Sequence, residues 1–153
     1  MPHLKQWTKS IEIDVHIEEV WQYVDGDLEK MQQIMPNVVS NTPITVTEEV
    51  VGSIHRQEYR EGKRVEAYDV HVTEYENTPT HKKIKVEFVL ANCFEITAKY
   101  ELESISLSKT RLTYTATNKA LKWFVHLFLL FANEKTVVKF VANVKKVAES
   151  NRA

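Results

Sequence analysis

Glycine is scarce in this chain, with three residues in 153: Gly26, Gly52 and Gly62. That excludes a glycine-rich phosphate loop, and each glycine is expected to mark a turn or the end of an element. Cysteine is scarcer still. The single Cys93 rules out an internal disulfide framework and fits a reducing, cytoplasmic compartment. With no positive neighbour it reads as a small packing residue rather than a nucleophile. Charge of one sign is missing too. A formal net charge of -1 lacks the basic excess by which a nucleic-acid binder holds phosphates. The short cluster Lys82, Lys83, Lys85 is read as the wet side of a strand. Long hydrophobic runs are also wanting. The greasiest, Ala120 to Ala132, holds about 13 residues against the ~20 that span a bilayer, and Lys122 and His126 interrupt it. Met1 to Trp7 lacks the apolar centre of a signal peptide.

Catalytic and metal-binding patterns are equally thin. No serine sits in a Gly-x-Ser-x-Gly setting. His3, His16, His55, His71, His81 and His126 show no metal-ligand spacing. His55 and His71 could meet across adjacent strands, but no third ligand accompanies them. No metal and no cofactor is expected. The set Arg56, Glu58 and Glu66 reads as a surface ion-pair ladder.

What is present is periodicity. Ile84, Val86, Phe88 and Leu90 share one face against Lys83, Lys85 and Glu87. Phe94, Ile96, Ala98, Tyr100 and Leu102 repeat the alternation, as do Leu112, Tyr114 and Ala116. A period of two with one wet face predicts an antiparallel sheet open to water on one side. Trp7, Ile11, Ile13 and Val15 predict an earlier strand, with Lys9 on the apolar side near the rim. Two short helices follow, one from about Ile17 that Asp25-Gly26-Asp27 stops and one from Leu28 to about Met35 that Pro36 ends. Further strands are expected at Ile44 to Val51, Ile54 to Arg60 and Arg64 to Tyr75. A long helix from about Leu121 to Glu149 closes a β-α-α-β-β-β-β-β-β-α order. At roughly 1.5 Å per residue it is longer than a seven-stranded sheet is wide, so it is expected to lie diagonally across a curled sheet. With no linker or repeat, residues 1–153 read as one domain.

This order resembles the helix-grip fold of the START-like lipid-binding superfamily, which includes polyketide cyclase/dehydrase-type proteins and birch pollen allergen relatives. Val15-His16-Ile17-Glu18-Glu19-Val20-Trp21-Gln22-Tyr23-Val24-Asp25 is similar to the family's opening strand-to-helix pattern, in which Val-Trp precedes an Asp. Pro36 closes the second helix as the family's pattern does. Val72-Thr73-Glu74-Tyr75-Glu76-Asn77-Thr78-Pro79 is similar to its strand-to-turn segment. The apolar run Trp123 to Phe131 departs from the resemblance by being greasier than the family's ordinary last helix. The resemblance implies an α+β fold: a curved seven-stranded antiparallel sheet wrapped around the C-terminal helix, enclosing a hydrophobic cavity.

A hollow between sheet and helix is the natural binding site. An empty apolar cavity of ~300 Å³ at about 24 cal/mol per Å³ would cost roughly 7 kcal/mol, comparable with a whole domain's stability. A chain that keeps one fills it with ligand, with water or with bulky side chains. Phe88, Ile96, Ala98, Tyr100 and Tyr114 are expected to line the sheet side; Leu127, Phe131, Glu134 and Val138 the helix side. Glu134 falls within the apolar stripe of Trp123, Leu127, Leu130, Val137, Val138, Val141, Val144 and Ala148. Either a kink turns it to solvent, or it is a carboxylate facing the hollow. The expected partner is a small hydrophobic molecule of lipid, polyketide or isoprenoid type, carried rather than transformed. A cyclase or dehydratase using Glu134 and the tyrosines is the enzymatic alternative, and a solid-cored interaction module a third. An exposed Trp123–Phe131 run would add transient membrane-surface contact. Oligomeric state is not legible.

Overall fold

The computed structural model describes residues 4–90, 94–120 and 134–152. Its elements are β1 (Leu4–Ile13), α1 (Ile17–Asp25), α2 (Leu28–Ile34), β2 (Val38–Thr45), β3 (Ile54–Glu61), β4 (Arg64–Asn77), β5 (His81–Leu90), β6 (Phe94–Ser106), β7 (Lys109–Ala120) and α3 (Glu134–Ser150). The seven strands make one antiparallel sheet in the order β1-β7-β6-β5-β4-β3-β2. Every neighbour but one is also a neighbour in sequence. The exception, β1 beside β7, arises because the chain leaves β1 through two helices and restarts at the far edge. The helix-grip architecture is therefore present, with α1 and α2 after the first strand.

Register defines the inner face. Trp7 stands opposite Ala116, Ala116 opposite Ala98, and Ala98 opposite Val86. One row away, Tyr114, Tyr100, Ile84 and Tyr75 align; the next row holds Ile11, Leu112, Leu102, Lys82 and Asn77. Burial along these rows is uneven. Leu112, Leu102, Ile84, Tyr100 and Ala98 are buried, and Ile13, Val20, Trp21 and Val144 complete the same core. Trp7, Val86, Phe88, Ile96 and Ala116 are only half-buried. Among the described residues, the core thus fills one end of the concavity and thins towards the other.

Local chemistry explains the helix positions. The Nδ1 of His16, at the start of α1, donates to the Leu107 carbonyl at 2.8 Å. Gly26 ends α1 where a Cβ would lie 1.9 Å from the Gln22 carbonyl oxygen, a position that admits no other residue unstrained. Asp27 then caps α2, accepting from the Lys30 amide at 3.0 Å. The buried face of α3 (Val137, Val141, Val144, Ala148) packs chiefly on β1. Lys145 donates to the Glu12 carbonyl at 2.9 Å, and the Asp14 amide donates to Glu149 at 2.8 Å.

One expectation needs correction. The second strand is Val38–Thr45 rather than Ile44–Val51. It contains Pro43, tolerable because β2 is an edge strand with one side free of ladder bonds. Residues 46–53 turn instead, with Val50 at φ +69° and Gly52 at φ +91°. The described part of α3 lies beside β1 through Lys9–Glu134, Glu12–Lys145 and Asp14–Glu149 contacts and sends Val141, Val144 and Ala148 into the core.

Candidate ligand-binding face

The concave face carries a line of phenols. Tyr100 on β6 and Tyr114 on β7 stand opposite each other with ring centroids 5.1 Å apart, and Phe140 of α3 packs on Tyr114 at 4.5 Å. Loss of hydration pushes the Tyr114 phenol up to about 12. Burial first, then the phenols of Tyr114 and Tyr68, raise Tyr100 well above its ordinary range. Tyr68 on β4, also pushed up to about 12 by burial, donates to Gln57 at 3.2 Å. It stacks on Phe88 with centroids 4.6 Å apart. At neutral pH all three are neutral phenols; the single proton of Tyr68 is held by Gln57, which leaves Tyr100 and Tyr114 to meet a ligand oxygen.

Phe88, Ile96, Ala98, Tyr100 and Tyr114, all expected on the sheet side, share this inner face: Phe88 is opposite Ile96, and Ala98 lies between Val86 and Ala116. Leu127 and Phe131 fall outside the described residues, as does the Trp123–Phe131 run. Glu134 does not face the concavity. Its carboxylate is 64% exposed and pairs with Lys9 at 2.5 Å. The hydrogen bond and charge of Lys9 hold it below the ordinary carboxylate range. Lys9 is opposite Tyr114 on the edge strand, so an inward position at the rim draws Glu134 to the outside. Val138 is also exposed, at 43%. His55 and His71 do not meet: register puts His55 opposite Val70 and His71 opposite Ile54, on opposite faces. Among the described residues no group of His, Cys, Asp and Glu could hold a metal.

Sequence reasoning missed Lys82. It is not on the wet face with Lys83 and Lys85, which pair outward with Glu74 at 3.2 and 3.5 Å. Its side chain is 2% exposed and reaches Glu18 of α1 at 2.9 Å. Its ammonium also donates to Asn77 and lies 5.8 Å from the centre of the Trp21 ring. The same parity count that places Ile84 inward places Lys82 inward. Beside it, Tyr75 donates to Asp25 at 3.0 Å and packs on Trp21 at 6.0 Å. Two of the three stretches that carry the family resemblance, Val15–Asp25 and Val72–Pro79, therefore meet in one polar clamp that fastens α1 to β4 and β5. The inner face of β3 is polar as well. His55 and Gln57 occupy it, and His55 Nδ1 and Asn41 Oδ1 are buried without a partner.

Asp25 gives a prediction. Burial raises its carboxyl above the ordinary 3.8, against the lowering effects of the Tyr75 hydrogen bond and His55. A raised carboxyl binds its proton more tightly in the folded state. Stability from this group is thus greatest at low pH and lost as pH climbs from 3.8 through the raised value. Asp25→Asn, which can still accept from Tyr75, is expected to gain thermal stability relative to wild type near pH 7. Below pH 3.8 the gain should vanish, as melting curves across pH would show. An Asp25→Asn protein less stable than wild type at pH 7 would contradict this sign.

An open antiparallel sheet, two early helices and a C-terminal helix define the helix-grip class. A model of the polyketide cyclase / dehydrase and lipid transport family matches residues 6–149, nearly the whole chain. The chain belongs to that family. Solved structures of the same fold include the Zhui aromatase/cyclase from Streptomyces sp. R1128, with TM-score 0.72, 11% identity and coverage of 99% of this chain and 98% of that one. A point mutant of norcoclaurine synthase from Thalictrum flavum, in complex with a transition-state analogue, gives 0.70 at 11% identity, covering 100% and 99%. The protein Ara h 8.0201 gives 0.69 at 12%, covering 97% and 100%. Such identities establish the fold alone. Among curated proteins, none matches the sequence. Among the described residues, no helix is long and apolar enough to cross a membrane.

Proposed function

We propose that the protein binds a small, mainly apolar molecule on the concave face of the sheet, as a carrier. One observation carries the reading. Ala116, Ile96 and Phe88 point inward from the middle of the sheet, yet remain half-buried, where a solid core would have closed over them. Aliphatic and aromatic walls with a few placed hydroxyls are the composition of a small-molecule site. The phenols of Tyr100 and Tyr114 supply polar groups for a carbonyl or hydroxyl. A family description joining cyclases with lipid transport agrees with an apolar, oxygen-bearing guest. The outward Glu134 takes away the carboxylate on which the enzymatic alternative leaned, and that favours holding a ligand over transforming it.

Native mass spectrometry of freshly purified protein tests this. The expected result is a second species heavier by one small organic molecule, released by mild collisional activation. Only the bare chain mass, together with no saturable uptake of an apolar fluorophore such as anilinonaphthalene sulfonate, would refute the reading.

A further inference from the structure

Asn118 is out of place on β7. It is 9% exposed and its Oδ1 has no hydrogen-bond partner. The outward residues of the same strand are satisfied: Thr117 pairs with Thr97, Thr115 with Thr8 at 3.2 Å, and Thr113 with Ser10 at 2.8 Å. Asn118 takes the inward position, in register with Ile96, which is itself opposite Phe88. It stands between Lys5 of β1 and Ile96 of β6, where the apolar part of the row ends. A buried amide without a partner is destabilising, and an aliphatic side chain of similar size would serve the fold better. Its presence makes physical sense where a guest supplies the missing partner.

We propose that Asn118 is a specificity-determining residue that holds a hydroxyl of the bound molecule, while the Tyr100–Tyr114 pair receives an oxygen at the other end. This rests on the carrier reading above and deepens it. Tyr114 and Asn118 are four residues apart on one strand, a separation of about 13 Å at ~3.3 Å per residue. Between them on the inner face Ala116 and, across the ladder, Ala98 present small side chains flanked by Trp7 and Val86, which leave room for an alkyl chain or a flat ring system. The ligand class is an elongated, mainly apolar molecule with an oxygen at each end. A hydroxyl suits the amide in either orientation, since it donates to Oδ1 or accepts from Nδ2.

The test displaces anilinonaphthalene sulfonate with n-decanol or α,ω-decanediol, using wild type and Asn118→Leu. The mono-alcohol can turn its single oxygen to the phenol pair. The diol cannot satisfy both ends once Asn118 is gone. Decanediol is expected to bind the variant roughly fivefold to tenfold more weakly, with decanol within about twofold of wild type. Melting temperature should stay equal or rise, because an unpaired amide has been removed. Equal weakening of both alcohols, an unchanged diol affinity, or a marked fall in melting temperature would overturn the role of Asn118 while leaving the carrier reading intact. Failure of either alcohol to displace the probe from wild type would remove the carrier reading and the inference together.

Discussion

Leu112→Ala is expected to be among the most damaging single substitutions, costing about 2–5 kcal/mol. Leu112 is fully buried on β7, between Ile11 of β1 and Leu102 of β6. It belongs to the end of the sheet where α1 and α3 close the core. Truncation forfeits the transfer free energy of three carbons and leaves a hole in a part of the molecule that has no slack to fill it. At roughly 2–4 °C per kcal/mol for a chain of this size, the melting temperature should fall by about 5–15 °C. Leu107→Ala is the control. Leu107 is 84% exposed in the β6–β7 turn, and its loss should change stability by no more than about 0.5 kcal/mol. Denaturant unfolding of the two variants side by side checks both. Equal small effects would mean that the packed end of the sheet is not where the stability resides.

Glu18→Ala is the second large effect, and its size depends on what it leaves behind. Lys82 keeps its ammonium inside, with Asn77 and the Trp21 ring for company but no counter-charge. Breaking a buried ion pair from one side costs about 3–5 kcal/mol. Glu18 is 54% exposed, so solvent already screens the pair, and about 2–3 kcal/mol is the better expectation. Replacing both partners is a different experiment. In the Glu18→Ala/Lys82→Met protein the methionine keeps an apolar stem near Trp21 and leaves no charge stranded. The double variant should therefore regain most of the loss, to within about 1 kcal/mol of wild type. A double variant as unstable as the sum of its singles would show that the clamp works by packing, not by charge.

These two sites also mark what was legible in the sequence. Leu112 and its neighbours lie on strands whose apolar–polar alternation is clean, so the inner faces of β5, β6 and β7 follow from parity alone. The same parity held information that went unread. Lys82 shares the phase of Ile84 and Val86, and Asn118 that of Tyr114 and Ala116. The expectation that charge on a strand is wet masks Lys82, and an uncharged Asn118 gives no signal of its own. On β3 no such phase exists, since its inward residues are His55 and Gln57. On β2 the proline hid a strand that only an edge position permits. Glu134 shows the limit of a helical wheel. The wheel placed it within the apolar stripe, but it cannot see Lys9, a rim cation on β1 that holds the carboxylate in solvent. Composition and spacing cannot supply such contacts between distant elements.

Ala116→Trp tests the central claim most directly, with melting temperature and anilinonaphthalene sulfonate titration read on the same samples. Ala116 lies between Trp7 and Ala98 on the inner face, and it is half-buried where a filled core would hide it. If the concavity accepts a guest, the indole occupies that space. The melting temperature should then hold to within a few degrees, while the wild type's saturable, one-to-one probe binding disappears. If the concavity is already full, the indole overpacks it at a cost of about 1–3 kcal/mol. A clear fall in melting temperature, with no saturable probe binding by wild type, would contradict the account.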